Sequence, residues 1–353
     1  MNISNELLLE VLAGANGHIG LITLNRPAQL NAITQTMCRQ IRSALNDWKH
    51  QDAIKAVVIR GAGNKAFSAG GDIRHLYVAR SEPQANLKFI EQEYALNAEI
   101  YHFSKPYISF MQGFTMGGGA GLSIPGKYRI ASETLKFAMP ETKIGFFTDV
   151  GASYFLTRCK GKLGWYLGLT GKTIHVQDAY YAGLVDVIIQ QQQFSELLDA
   201  LVHAKWTQDA DRTIQKIIPA FAQPIGESYL QQYQEKIDYC FSQPAIESII
   251  DALSAQPDQW LKEIGESLLR TSSPMSLKVV LEQLNRGVQM SFNDCMRMEH
   301  CIADHFFKSP DLYEGIRAAV IDKDHLPNWT LKTLSEITEK QVLDYFEPPE
   351  NHS

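Results

Sequence analysis

Two short stretches of this 353-residue chain hold residue types that could do chemistry. MQGFTMGGGAGLSIPG, residues 111–126, sets three consecutive glycines in an apolar run. FAMPETKIGFFTDVG, residues 137–151, carries two acids eight positions apart, Glu141 and Asp149. Glycine leaves backbone N–H groups open to close approach. Where a glycine run opens a helix, unpaired N–H donors and the positive end of the dipole suit an oxygen that becomes anionic during reaction. The same glycines would serve close packing of a helix on a strand. The acids also have two readings. Carboxyl groups in aromatic surroundings are seldom buried without a reason, and a buried pair with raised proton affinity could act as acid, base or nucleophile. Alternatively, Glu141 caps a helix after Pro140 and Asp149 forms a turn before Gly151. Their spacing does not show that they converge.

Other candidates are weaker. FSAGGDIR (67–74) reads on its own as a turn with a helix N-cap at Asp72. Glu93, in EQEY, reads from spacing alone as part of a solvated helix face. AVVIRGAGNKA (56–66) imitates a dinucleotide fingerprint, but the small-residue turn FSAGGD follows where a helix is required, so NAD binding is rejected. Ser123 lies in GLSIPG, which is not the nucleophile pattern GxSxG. The five cysteines (38, 159, 240, 295 and 301) form no CxxC pair, which argues against a disulfide framework or a structural zinc. The net charge is −6 and no Lys/Arg run tracks a phosphate backbone, so no nucleic-acid partner is expected. No apolar run reaches membrane-span length, so no membrane partner is expected. The opening MNISNELLLEVLAGANG has acids and no arginine, unlike a signal or transit peptide. Together these features predict a soluble, cytoplasmic protein.

The elements that must position these residues can be read from periodicity. Residues 6–25 form a hairpin around Asn16-Gly17. Residues 32–50 and 83–103 have helical spacing. Short β-branched or aromatic runs at 56–61, 107–113, 128–132, 136–140 and 185–189 predict strands. Strands and helices alternate to about residue 190, which argues for an α/β core. Beyond that the chain is helical in period and rich in glutamine. The expected division is a core over 1–200 and a helical region over 201–353, with a tail that frays from about 346.

ITLNRPAQLNAI (22–33), KAFSAGGDI (65–73), GFTMGGGAGL (113–122), FAMPETKIGFFTDVGASYFL (137–156) and LGLTGKTIHVQDAYYAGLVD (167–186) occur in that order. As a set they resemble the enoyl-CoA hydratase/isomerase (crotonase) superfamily. MPETKIGFFTDVGASYFL, EQEYALN (91–97), SPMSLKVVL (273–281) and EGIRAAVIDKDHLPNW (314–329) are similar to its branch of 3-hydroxyacyl-CoA hydrolases, so the likeness spans nearly the whole chain.

The resemblance implies an α/β fold, a crotonase-like spiral core of ββα units with a helical C-terminal region. It implies that the N–H groups of Gly71 and Gly118 hold the thioester oxygen and that Glu141 is catalytic. The second glutamate of the hydratases would fall at Gly121, which has no side chain. The hydrolase branch places its second acid at Asp149 instead, and moves Glu93 to the substrate, alongside Gly118, Glu141 and Asp149. Thr148 stands where that branch often has proline, and Ala28 where a basic residue facing CoA is common. The implied reaction is hydrolysis of a short 3-hydroxyacyl-CoA such as 3-hydroxyisobutyryl-CoA, in valine breakdown. The implied partner is the acyl-CoA substrate, with no further cofactor and no metal. A homo-oligomer is left open. The alternatives are a one-acid hydratase or isomerase, and a non-catalytic acyl-CoA binder.

Overall fold

The computed structural model describes residues 6–348. Residues 349–353 of the tail expected to fray lie outside the described residues, as do the first five residues of the opening stretch. Two compact units are present, each built from separated stretches of chain. The first takes the chain up to Gly71, then Ala95–Phe137 and Thr173–Gln231. The second takes Asp72–Tyr94, Ala138–Lys172 and the chain from Gln232 onward. The division follows packing rather than chain order, and so does not fall at the contiguous boundary expected near residue 200. What changes near that point is texture: the last described strand ends at Ile189, and helices follow.

The first unit is built on two sheets. β1 (Leu7–Ala13) and β2 (His18–Leu24) form an antiparallel hairpin. In its turn the Gly14 N–H donates to Gly17 O at 3.1 Å. Asn16 does more than turn the chain. Its side chain donates to Trp206 O and accepts from Trp206 N, both at 3.1 Å. β2 then pairs in parallel with β3 (Ile54–Gly61). The other strands are β4 (Ala66–Ser68), β5 (Tyr107–Met111), β6 (Phe114–Met116), β7 (Tyr128–Ser132), β8 (Lys136–Ala138), β9 (Ile174–His175) and β10 (Val187–Ile189). The larger sheet runs β1-β2-β3-β5-β7-β10 and the smaller runs β4-β6-β8-β9.

That order is the spiral. The pairs β3/β4, β5/β6 and β7/β8 each give one strand to each sheet before the chain moves on. β5 is buried at every position and is largely apolar; the exception, Ser109, donates its hydroxyl to Ser123 O at 3.2 Å. Phe110 on β5 stacks on Phe194 with ring centroids 4.8 Å apart. The helix Phe194–Val202 packs Leu197, Leu198 and Leu201 into the same cluster as Ile19, Val58 and Ile108.

The second unit is mainly helical. Ser273 and Ser309 each cap a helix whose first residue is proline, Pro274–Gly287 and Pro310–Ile316. The serine hydroxyl accepts a backbone N–H, and proline is pre-shaped for a first helical position. The helix Leu163–Thr170 is buried on every side and is accordingly apolar all round. Phe146, Phe147, Phe306 and Phe307 form an aromatic cluster. No described helix is long and apolar enough to cross a membrane.

Asn31 shows how the first unit sets its loops. It is fully buried and left-handed, with φ +56°, a conformation asparagine tolerates. Its amide donates to Ala62 O at 3.0 Å and Ala66 O at 2.9 Å, and accepts from Arg26 N at 3.0 Å. These bonds tie the NRPAQLN loop to the start of β4. A buried hydrogen bond contributes about 1 kcal/mol, so Asn31→Ala should destabilise by about 3 kcal/mol. Urea unfolding checks this; a loss under about 1 kcal/mol would contradict it.

Candidate active site

In the first unit β4 and β6 are parallel neighbours. The segments that follow them therefore leave the small sheet at the same end. One carries Gly70 and Gly71, the other Gly117 and Gly118. A Cβ on Gly70 would lie 3.1 Å from Met116 O and 3.4 Å from Gly118 N. The two expected oxyanion donors thus sit on adjoining segments, Gly118 as the first residue of the helix Gly118–Ser123. The neighbouring glycines have separate reasons. Gly117 adopts φ +47°, ψ −122°, a backbone that a side chain would oppose. A Cβ on Gly119 would meet Ser68 O at 2.5 Å. Close packing, one of the two readings left open, thus explains Gly119. Gly121 lies buried in the short helix Gly118–Ser123, and its carbonyl accepts from Asn97 Nδ2 at 2.9 Å. Asp72 stands at the N-cap of the helix Ile73–Val78 but makes no side-chain capping bond.

In the second unit Glu93, Glu141 and Asp149 come together. Glu141 opens the 3-10 turn Glu141–Ile144 after Pro140 and is only 6% exposed. Its Oε2 is buried without a hydrogen-bond partner. Asp149 is equally buried, and its carbonyl accepts from Ala152 N at 3.0 Å. The turn expected before Gly151 is therefore present. It is a demanding one, because Val150 (φ +55°) and Gly151 (φ +89°) are both left-handed. A β-branched residue there is an outlier, costing roughly 1–3 kcal/mol. Tyr94 Oη donates to Asp149 Oδ2 at 3.1 Å.

The solvated face expected for Glu93 is not what forms. Glu93 is 2% exposed and its Oε1 has no partner. Leu87, Phe89, Ile90 and Tyr94 of the same helix, Pro83–Tyr101, are buried too, so its wet face is narrow here.

Burial dominates the electrostatics. It raises Glu93 to about 8, with the Asp149 charge adding to the effect. It raises Asp149 to about 7 against the opposing hydrogen bonds from Tyr94 and its own backbone. It lifts Glu141 well above the carboxylate range, helped by the charge on Asp149. Tyr94 is pushed well above its usual value by burial and then by Asp149, so its hydroxyl stays protonated and donates.

Sequence reasoning missed four residues. Glu299, fully buried on the helix Phe292–Lys308, accepts from Gly151 N at 2.7 Å, Ser153 N at 2.9 Å and Ser153 Oγ at 2.6 Å. Gln283 donates to Thr148 O at 2.5 Å and Ser153 Oγ at 2.7 Å. Ser153 and Tyr94 complete the set. A signal for Glu299 existed. It shares helical spacing with Phe292, Cys295, Ile302 and Phe306, all buried, so an acid stood on an apolar stripe.

The chain belongs to the enoyl-CoA hydratase/isomerase family, whose model matches residues 19–346. Its relatives include the bovine (Bos taurus) protein named 3-hydroxyisobutyryl-CoA hydrolase, mitochondrial. That protein is 37% identical over 352 residues, covering 98% of this chain and 90% of its own length. The human (Homo sapiens) protein of the same name is also 37% identical, covering 96% and 88%. A solved structure described as a carnitinyl-CoA dehydratase from Mycobacterium thermoresistibile superposes with a TM-score of 0.91 at 34% identity, over 99% of this chain and 98% of that one. The α/β crotonase-type fold expected above is thereby established. The expected cytoplasmic location is overturned, because these relatives are named as mitochondrial. That expectation rested on the composition of the opening residues, which bears on a leader peptide and not on a compartment.

The raised acids tie stability to pH. A carboxyl that binds its proton more tightly when folded contributes stability that is present at low pH and lost as pH rises through its folded value. For Glu93 the window runs from its ordinary 4.5 up to about 8. Glu93→Gln mimics the protonated form. Its melting temperature should therefore gain on the wild type steadily between pH 5 and pH 8. A constant gap across that range in scanning calorimetry would contradict the assignment.

Proposed function

We propose that this chain hydrolyses short 3-hydroxyacyl-CoA thioesters, with 3-hydroxyisobutyryl-CoA as its substrate. The products are free CoA and 3-hydroxyisobutyrate, a step of valine breakdown. The observation that carries this reading is the buried pair Glu141 and Asp149 in the second unit, in a chain whose bovine and human relatives are named as hydrolases of that thioester.

In this reading the N–H groups of Gly71 and Gly118 receive the thioester oxygen as it becomes anionic. Each such donor is typically worth ~2.7–4 kcal/mol in the transition state. Glu141 drives attack on the carbonyl carbon. It does so either by attacking to form a mixed anhydride that water then opens, or by taking a proton from the attacking water. Asp149 hydrogen-bonds the substrate 3-hydroxyl and gives a proton to the departing thiolate. A carboxyl whose proton affinity lies near neutrality is well placed to take and return a proton there. Tyr94 holds Asp149, and Glu93 shapes the polar end of the acyl site. The thioester is already activated, so the reading needs no metal, and CoA enters as part of the substrate.

Water addition or removal is the second reading, favoured by the dehydratase description of the Mycobacterium structure. The absence of a carboxyl at Gly121 speaks for hydrolysis. Purified protein given 3-hydroxyisobutyryl-CoA, 3-hydroxypropionyl-CoA and crotonyl-CoA separates the two. Thiol release from both 3-hydroxy substrates with no loss of enoyl absorbance is the expected result. Loss of enoyl absorbance without thiol release would overturn it. Asp149→Asn should slow thiol release by ~10²-fold or more, the range of general acid–base catalysis.

A further inference from the structure

We propose that Glu299 is a positioning residue for this reaction, holding the turn that carries Asp149 from the neighbouring helix. The inference rests on the role given to Asp149 above, and Glu299 itself touches no reacting atom.

The turn does not hold itself. Val150 and Gly151 are left-handed in succession, at φ +55° and +89°. Valine rarely adopts that conformation, and its neighbours must impose it. A side chain at Gly151 would be strained at φ +89°, and its Cβ would lie 2.9 Å from the Phe292 ring, which would have to shift. Gly151 and Ser153 are also the N-cap and second residue of the short helix Ala152–Phe155, whose first N–H groups have no partner within the helix. Glu299 receives both N–H groups and the Ser153 hydroxyl.

Gln283 pins the other side. Its amide donates to Thr148 O, the residue before Asp149, and to Ser153 Oγ. Ser153 Oγ accepts from Gln283 and donates to Glu299, so one hydroxyl links the two holders. The backbone is thus fixed on both sides of Asp149, and Tyr94 fixes its carboxylate. Two side chains from separate helices, each fully buried, converge on one strained turn whose only projecting acid is Asp149.

Glu299→Gln sets an amide N–H against one of the backbone donors. It should lower kcat for thiol release at least about tenfold while KM stays within about threefold, since Asp149 is misplaced and CoA contacts are untouched. Ser153→Ala removes one donor at small cost to the fold, and should lower kcat by about threefold or more on the same logic. It decides the matter if Glu299→Gln does not accumulate as folded protein. The double variant Asp149→Asn/Glu299→Gln should be no slower than Asp149→Asn alone, because Glu299 acts through that carboxylate. Losses that multiply in the double variant would overturn the proposal, showing a general structural role. So would wild-type kcat in both Glu299→Gln and Ser153→Ala. Near-wild-type turnover in Asp149→Asn alone would instead remove the underlying reading of Asp149.

Discussion

Four carboxyl groups, Glu93, Glu141, Asp149 and Glu299, are buried within one largely apolar unit. Burying an acid is costly unless it is neutral or well supplied with donors. The unit resolves this unevenly. Glu299 has three donors, Asp149 has the Tyr94 hydroxyl, and Glu93 and Glu141 each keep one buried oxygen without a partner. The charge on Asp149 raises the proton affinity of all three others. A fold keeps such groups only where the surroundings over-determine them, and such places are commonly sites of chemistry.

The glycines of the first unit answer a different constraint. A spiral that gives alternate strands to two sheets must turn sharply after each short strand. The bends after β4 and β6 leave the sheet at one end, and bare backbone lets them approach: Gly119 against Ser68, Gly70 against Met116 and Gly118. The demand for close packing and the supply of backbone N–H groups fall on the same few residues. That is why the triplet alone could not decide between the two readings.

Much of this was legible in the sequence, and the failures have physical causes. The first hairpin, the strand runs and the helical periods appear where patterning places them, because each depends on local chemistry. The hairpin's connection, however, is the four residues 14–17 rather than a two-residue Asn16-Gly17 turn. Glu93 was misread because an i, i+4 pattern shows which residues share a face but not how many faces are covered. The units could not be read at all, since each gathers three separated stretches that only packing joins. Glu299 lies 150 residues beyond Asp149, and no local pattern links an acceptor to donors that far away. The order of the motifs, rather than any single one, carried the family likeness.

The central claim is that Glu141 drives attack on the thioester carbonyl, as nucleophile or as the base that activates water. Glu141→Gln keeps the shape and removes the carboxylate. Thiol release from 3-hydroxyisobutyryl-CoA should fall by ~10³-fold or more, while CoA binding followed by calorimetry stays within about threefold of wild type. Turnover near the wild-type rate in that variant would contradict the account.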